Sequence, residues 1–247
     1  MHCKDRKEKH IGFLILISYL QCLSACDFIV TIEQRLTMDG FHRNMTYDIF
    51  IGHPKVLIEE WAYKDCVVGL HQQLPSGIYA NPDELNDLRR SHRLNAITKK
   101  TNVEMPAELS EPMSVYIIKK MSSPNVLAWV PLHSRYHKAV TNGGFALNEI
   151  EPPQMFMRCP DQKLDNCETP LTPAKFLCSG SKEISKEKCS WKEIPVNMGT
   201  NTPIGWQVPV GNLQHYYYVA IGTGLAVAAG SLYLLYTIHE FKFVYQY

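Results

Sequence analysis

Short runs of β-branched and aromatic residues recur along the chain, and Gly or Pro turn signals separate several of them. Such runs are typical of β-strands. Short strands separated by turns favour a mainly β fold, here an antiparallel, sandwich-like domain with one short helix. The predicted strands cover residues 28–33, 47–51, 55–61, 66–70, 113–119, 126–133 and 145–150.

One helix signal interrupts the strands. The segment Asn81–Glu84 places an N-cap residue, then proline at the first helical position, then two acids that complement the helix dipole. This order predicts an α-helix that turns Leu85 and Leu88 inward and ends near Arg90. Residues 91–112 are polar and contain prolines, so they are predicted to form a loop.

Two apolar blocks lie near the ends of the chain. Residues 11–23 follow a basic stretch and precede small residues, which predicts a secretory signal peptide over residues 1–25, with an uncleaved anchor as the alternative. Residues 216–238 contain no Lys, Arg, Asp or Glu. As a helix they reach about 34 Å, enough for a bilayer core of roughly 30 Å. Tyrosines near both ends match the aromatic belt of a membrane span.

A cleaved signal and one late span predict a single-pass type I membrane protein with most of the chain in the lumen and a cytosolic tail at 239–247. Replacement of the span by a lipid anchor is disfavoured because Glu240 and Lys242 follow it. The mean hydropathy of −0.18 excludes a polytopic protein. The lumenal part is predicted to be one β-rich domain at 26–179, followed by a polar, Cys-containing juxtamembrane stalk at 180–215.

Cysteine usage agrees with an oxidising lumen. Six cysteines are disulfide candidates once the signal is removed, and the last four fall so close together that sequence leaves three pairings open among them. A zinc site is the alternative, disfavoured because no Cys-x-x-Cys pair is present. The single Asn-x-Ser/Thr sequon predicts a glycan on Asn44. The six cysteines are Cys26, Cys66, Cys159, Cys167, Cys178 and Cys189.

Motifs of catalysis are missing from the sequence. It contains no Gly-x-Ser-x-Gly, P-loop, Gly-x-Gly-x-x-Gly or Asp-x-Asp. His133 and His137 could suggest a metal site, but four residues of strand separate them by about 13 Å. We interpret the pair as structural, with Arg135 and Tyr136 fixing the strand through hydrogen bonds, and Glu84 as part of a helix start. The net charge of +1 gives no support for nucleic-acid binding. We expect no cofactor, no metal and no enzymatic activity.

The predicted span carries small residues at every fourth position: Gly222, Ala226 and Gly230. Such a ridge allows a second membrane helix to approach closely. It therefore predicts a partner-helix contact, although glycine is also common in membrane spans for other reasons.

Residues 40–43, 74–85 and 130–137 form three short motifs that come before the apolar span in the chain. Together these segments resemble the phosphatidylinositol-glycan biosynthesis class X (PIG-X) family over about residues 36–238. The resemblance includes the order of Cys159, Cys167, Cys178 and Cys189 and the segment 207–211 before the span. The residues 81–83 depart from it, because Asn-Pro-Asp stands where the family is expected to show Asp-Pro and an aromatic. The motif residues are Gly40, Phe41, His42, Arg43, Pro75, Gly77, Tyr79, Pro82, His133, Arg135 and Tyr136.

This resemblance implies a non-catalytic protein of the endoplasmic reticulum membrane that stabilises glycosylphosphatidylinositol (GPI) mannosyltransferase I. Its implied partners are the polytopic catalytic subunit of PIG-M type, which adds the first mannose of the GPI precursor, and membrane lipid. Two other classes stay open: a lumenal single-span lectin or cargo receptor, and a hydrolase or transferase with an unrecognised site.

Overall fold

The computed structural model describes residues 28–52, 63–160, 163–164, 171–178, 188–199 and 202–244. The signal segment 1–25, the predicted strand 55–61, Cys26 and Cys167 lie outside these residues. The two α-helices of the described part are α1 (Pro82–Arg90) and α2 (Tyr216–Val244), and short 3-10 helices occupy Ala107–Leu109 and Leu213–His215. The strands are β1 (Ile29–Thr37), β2 (His42–Gly52), β3 (Val67–Leu74), β4 (Ile78–Tyr79), β5 (Ala96–Thr98), β6 (Met113–Lys120), β7 (Asn125–Ser134), β8 (Gly144–Ile150), β9 (Gln154–Arg158), β10 (Thr172–Leu177), β11 (Lys188–Ile194), β12 (Asn197–Met198) and β13 (Ile204–Val210).

The strands form two large sheets and one ribbon. The first sheet has the order β12-β1-β2-β7-β4, the second has the order β10-β11-β9-β3-β6-β5, and β8 pairs with β13. Among the described pairs, β12 runs parallel to β1 and the others are antiparallel. The mainly β prediction is confirmed, and six predicted strands correspond to β1, β2, β3, β6, β7 and β8.

The main core contains side chains from both large sheets. In β2 the buried residues alternate from Met45 to Ile51, and in β7 they include Val126, Ala128, Val130 and Leu132. The second sheet adds its own buried side chains from β3, β6 and β9 to the same cluster. The alternation places one face of each strand in the core and the other outside it.

A smaller core covers the other face of the second sheet. Phe156 belongs to it, whereas its neighbours Met155 and Met157 belong to the main core. The ring of Phe176 packs 4.8 Å from that of Phe156 and 5.2 Å from that of Trp191. This second sheet therefore buries apolar side chains on both faces.

The predicted stalk at 180–215 is wrong for the described residues of that range. Strand β11 joins the second sheet, β12 joins the first, and β13 pairs with β8 along its length. Trp191 and Trp206 are among the largest fully buried side chains. The physical reason is that two large indole rings compensate for the polar composition of the segment by burying extensive apolar area. The β domain therefore continues to Val210.

Helix α1 follows its sequence signals. It runs from Pro82 to Arg90, and the Asn81 side chain accepts a hydrogen bond from the Asp83 amide. Leu85 is buried and Leu88 packs against the core, as predicted. The expected loop at 91–112 is wrong at residues 96–98, where β5 pairs with β6. That strand is short and lies at a sheet edge, so its sequence signal is weak.

Two disulfides tie the second sheet together. Cys66 before β3 bonds to Cys159 after β9, and Cys178 after β10 bonds to Cys189 in β11. These strands are sheet neighbours, β3 with β9 and β10 with β11. Cys159 thus pairs outside the dense C-terminal cysteine group. The first bridge closes a loop with a sequence separation of 93 residues, and long loops confine the unfolded chain most.

Helix α2 presents apolar side chains on all its sides. Residues 216–242 are exposed in the isolated chain, and the helical stretch Leu213–Lys242 is long and apolar enough to cross a membrane. A helix that is apolar all round requires burial in protein or lipid. The predicted span at 216–238 lies inside this stretch.

Candidate functional site

The resemblance motifs, which are far apart in sequence, meet at one corner of the first sheet. His42 at the start of β2 pairs with His133 near the end of β7, and Tyr79 of β4 pairs with His133 from the other side. The rings of His42 and His133 stack 4.3 Å apart, and those of Tyr79 and His133 stack 5.1 Å apart. Three neighbouring strands thus place three aromatic rings in a row.

Strand alternation sets the direction of these rings. His42 lies three positions before the core-facing Met45, and His133 directly follows the core-facing Leu132. Because neighbouring strand residues point to opposite faces, both imidazoles lie on the outer face of the sheet. Asn44 shares that outer face in β2, two residues from His42, and its side chain is partly exposed.

Glu84 extends from the first turn of α1 to both imidazoles. Its Oε2 lies 2.8 Å from Nε2 of His133, and its Oε1 lies 3.5 Å from Nε2 of His42. His42, Glu84 and His133 each offer one atom that could bind a metal ion, and these three atoms lie within 4.8 Å of one another. In the described part of the chain, this is the cluster of three His, Cys, Asp or Glu side chains with that spacing. Glu84 lies in the first turn of the helix, in agreement with its interpretation as part of a helix start, but its contact with two histidines is not visible in the sequence.

Arg135, the residue after β7, contacts both the segment at 102–105 and the Tyr79 ring. Its guanidinium donates hydrogen bonds of 2.7 Å to the carbonyls of Asn102 and Met105, and it lies 4.6 Å from the Tyr79 ring centre. Burial lowers the pKa of Arg135 and raises that of Tyr79, and the positive charge of Arg135 partly offsets the rise at Tyr79. These contacts link the residue after β7 to the segment at 102–105.

Tyr136 does not fix the strand with its side chain, contrary to the prediction. The side chain is 80% exposed, and its ring lies 5.9 Å from that of Phe41, which is 42% exposed. Only the Tyr136 backbone carbonyl takes part in the local network, accepting a hydrogen bond from the Ala107 amide. The two exposed rings form an apolar edge beside the histidines.

The turn between β1 and β2 shapes the same edge. Gly40 has φ +84°, a left-handed conformation that glycine adopts without strain. Arg43 donates from Nε to the Gly40 carbonyl and stacks its guanidinium 5.2 Å from the Trp206 ring centre. Trp206 belongs to β13, the last strand before α2. The corner formed by the motif residues therefore contacts the strand that leads to α2.

His133 and His137 do not converge, as the strand spacing predicts. His137 Nδ1 lies 3.0 Å from the Arg135 carbonyl and its Nε2 lies 3.2 Å from Asn148 Oδ1. A Cβ placed on Gly77 would meet His137 Nε2 at 2.7 Å and Asn148 at still shorter range. Glycine at position 77 is thus required by close approach of side chains.

Two motif prolines, Pro75 and Pro82, lie where the chain changes direction between secondary-structure elements. Pro75 follows β3, and its carbonyl accepts a hydrogen bond from the amide of Ile78 at the start of β4. Pro82 is the first residue of α1. Both positions bring the chain from the second sheet to the edge of the first, where Glu84 reaches the histidines.

Comparison with known proteins identifies the family. A family model described as PIG-X / PBN1 matches residues 38–239. The chain belongs to the PIG-X / PBN1 family. The match begins before the Gly40 turn, includes all the motif residues from Gly40 to Tyr136 and ends within α2. The family resemblance of the sequence is therefore confirmed.

Curated relatives resemble the chain over nearly its whole length. A rat protein is 26% identical over 231 residues, covering 88% of this chain and 84% of its own. A human protein is 26% identical over 224 residues, covering 86% of this chain and 81% of its own. Both are named "GPI alpha-1,4-mannosyltransferase I, stabilizing subunit". The family match, at residues 38–239, extends through the β domain and into the C-terminal helix.

Proposed function

We propose that this PIG-X / PBN1 protein is the non-catalytic stabilising subunit of GPI mannosyltransferase I in the endoplasmic reticulum membrane. The observation that carries the proposal is its similarity, over 86–88% of the chain, to relatives named as that subunit. Its partner is the polytopic catalytic subunit of PIG-M type, which adds the first mannose. The β domain lies in the lumen, α2 crosses the membrane once, and the end of the chain is cytosolic.

The contact surface on the β domain is the corner formed by Phe41, His42, Glu84, His133 and Tyr136, which we call the motif surface. Exposed aromatic rings beside polar groups are typical of the central residues of protein interfaces. Phe41 and Tyr136 supply such rings without a role in the core. Because Arg43 of the same turn stacks on Trp206 next to the helix connection, the surface is well placed to face lumenal loops of a membrane partner.

The predicted glycan restricts how a partner can use this face. Asn44 lies two residues from His42 on the outer face of β2, which is about 7 Å along a strand. A glycan there would cover the middle of the first sheet. The partner would then approach from the Phe41 and Tyr136 edge.

A second contact is proposed for α2 through Gly222, Ala226 and Gly230. No heavy atom lies within 4 Å of a Cβ placed on either glycine, so this ridge is open to a neighbouring helix. Positions four apart advance by about 40° around a helix, so the three residues form one slanted face. Ala220, Gly224 and Ala228 form a matching small-residue face on the opposite side.

Stabilisation follows from mass action. A subunit that binds the folded catalytic partner, and not its unfolded form, shifts the folding equilibrium of that partner towards the native state. No chemical step by this chain is required. The expected consequence of its loss is less catalytic subunit, with mannose transfer reduced in proportion.

The proposal is tested by deleting the gene in cells that express the catalytic subunit with an epitope tag. We expect the tagged subunit to fall in abundance, GPI-anchored proteins to be lost from the cell surface, and the precursor without mannose to accumulate. Re-expression of the chain should restore all three. Mannose addition at the normal rate in deleted cells would refute the proposal, and binding of glycan or cargo with normal mannose addition would support a lectin or cargo receptor.

Point variants separate the two proposed contacts. Phe41→Ser with Tyr136→Ser should reduce co-purification of the catalytic subunit, whereas Phe50→Ser, an exposed aromatic at the other end of β2, should not. Leucine at positions 222, 226 and 230 should also reduce co-purification. The matched control is leucine at 220, 224 and 228, on the opposite side of α2. Equal effects of a variant and its control would contradict the assigned surface.

A further inference from the structure

We propose that His42, Glu84 and His133 bind a divalent transition-metal ion, with Zn²⁺ as the best match. This inference differs from the sequence-based expectation of no metal, and it does not depend on the proposed function. It rests on the convergence of two imidazole nitrogens and one carboxylate at a corner built by three separate segments of the chain.

The distances suit one ion shared by three ligands. Zinc binds imidazole nitrogen at about 2.0–2.1 Å and carboxylate oxygen at about 2.0–2.2 Å. Two ligand atoms of a tetrahedral zinc ion are then separated by about 3.3 Å by simple geometry. Glu84 Oε2 lies 2.8 Å from His133 Nε2, and Glu84 Oε1 lies 3.5 Å from His42 Nε2. One ligand atom from each of the three residues lies within 4.8 Å of the other two. The two imidazole planes are stacked at 7° to each other, so the rings must tilt towards each other for both Nε2 lone pairs to point at one ion.

The backbone holds the ligands in advance. His42 and His133 occupy directly paired positions on two central strands, so their relative position is fixed by the sheet. The ring of Tyr79 stacks on His133 and limits its rotation. Glu84 lies in the first turn of α1, whose start is fixed by the Asn81 cap and by pairing of β4 with β7. Such preorganisation lowers the entropic cost of binding.

The donor set selects the class of ion. Imidazole nitrogen suits zinc and other late transition metals, whereas magnesium and calcium prefer sites made of oxygen alone. Three protein ligands leave a fourth position, which faces solvent because all three side chains are partly exposed. That position would be available to a water ligand. The ion then links α1 to the β2–β7 pair and stiffens the motif surface.

The test uses the full-length protein purified in detergent and stripped of metal by a chelator. We expect one equivalent of Zn²⁺ to bind in calorimetry, and Co²⁺ to give visible absorption of a low-symmetry nitrogen and oxygen site. Zinc should also raise the melting temperature. His42→Gln, Glu84→Gln and His133→Gln should each weaken zinc binding by more than the roughly 10–100-fold that changes outside the ligand shell cost.

The controls are histidines of the same domain outside the cluster. His71→Gln alters a ring that lies 2.9 Å from both Gln154 and Ser114, and His137→Gln alters the ring beside Asn148. Both controls should retain zinc affinity, the cobalt spectrum and the zinc-dependent rise in melting temperature. Circular dichroism of the metal-free variants shows whether each one folds.

Three outcomes would overturn the proposal. One is the absence of stoichiometric zinc binding by the folded wild-type protein. Another is binding that His42→Gln and His133→Gln leave intact, which would place the ion elsewhere. The third is loss of binding in His137→Gln with its fold preserved. In the first case Glu84 pairs with the imidazoles directly, without an ion.

Discussion

Replacing Arg135 with methionine should destabilise the β domain and release the segment at residues 101–105. The guanidinium donates hydrogen bonds of 2.7 Å to the carbonyls of Asn102 and Met105 and one of 3.2 Å to the Thr101 hydroxyl. Methionine keeps a similar stem but donates no hydrogen bond. The carbonyls must then bind water, which requires the segment to move away from the strand.

The size of the effect follows from these contacts. A hydrogen bond that involves a charged group contributes about 1.5–3 kcal/mol net. The stack on Tyr79 adds about 0.5–2 kcal/mol. Removing the buried cation also relieves its desolvation, which offsets part of the loss. We therefore expect the free energy of unfolding to fall by about 3 kcal/mol. For a domain of 150–250 residues this lowers the melting temperature by about 6–12 °C.

The assay combines thermal melting with limited proteolysis of the full-length protein in detergent. Trypsin should cut the variant faster after the exposed Lys99 and Lys100, which directly precede the released segment. The matched control is Arg35→Met. That arginine is 54% exposed and pairs with Asp48 at 2.8 Å, an ion pair that contributes about 1 kcal/mol or less. Equal melting temperatures for the two variants, with cleavage at the wild-type rate, would refute the reasoning.

Three further predictions concern other parts of the β domain. Gln72→Leu removes the acceptor 2.9 Å from the buried Tyr47 hydroxyl and should cost about 1–3 kcal/mol in a denaturant titration, whereas a cost under about 0.5 kcal/mol would contradict the network. Asn81→Ala removes the helix cap on Asp83 and should cost about 1 kcal/mol by the same measurement, unlike Asn86→Ala within α1, which should be near neutral. Asn44→Gln should abolish the gel shift caused by glycosidase treatment, and a shift that persists would disprove glycosylation at this residue.

Local sequence signals were sufficient for much of the fold. Short β-branched and aromatic runs located β1, β2 and β7, and the cap, proline and acid order located α1 to the residue. These signals act between neighbours in sequence, so no knowledge of the fold is needed to read them. The same holds for α2, whose apolar character does not depend on any partner within the chain.

Other elements depend on distant partners and were missed. The segment 188–210 reads as a polar stalk, yet Trp191 and Trp206 bury their rings against strands far away in sequence. Likewise, β5 is three residues long and is stabilised by antiparallel pairing with β6, a strand that lies too far from it in the chain for local sequence patterns to reveal the pairing. Burial decides these cases, and burial is a property of the assembled sheets.

The sequence by itself determined the β character of the chain, the position of α1, an apolar C-terminal helix and the family to which the chain belongs, because these depend on local preference and on motif order. Only the tertiary structure decided the disulfide partner of Cys66 and the meeting of His42, Glu84 and His133. These contacts join positions that are distant in sequence, and the pairing of β2 with β7 and of β3 with β9 brings them together. Strand pairing between remote segments follows from the packing of the whole core, which short sequence patterns do not encode.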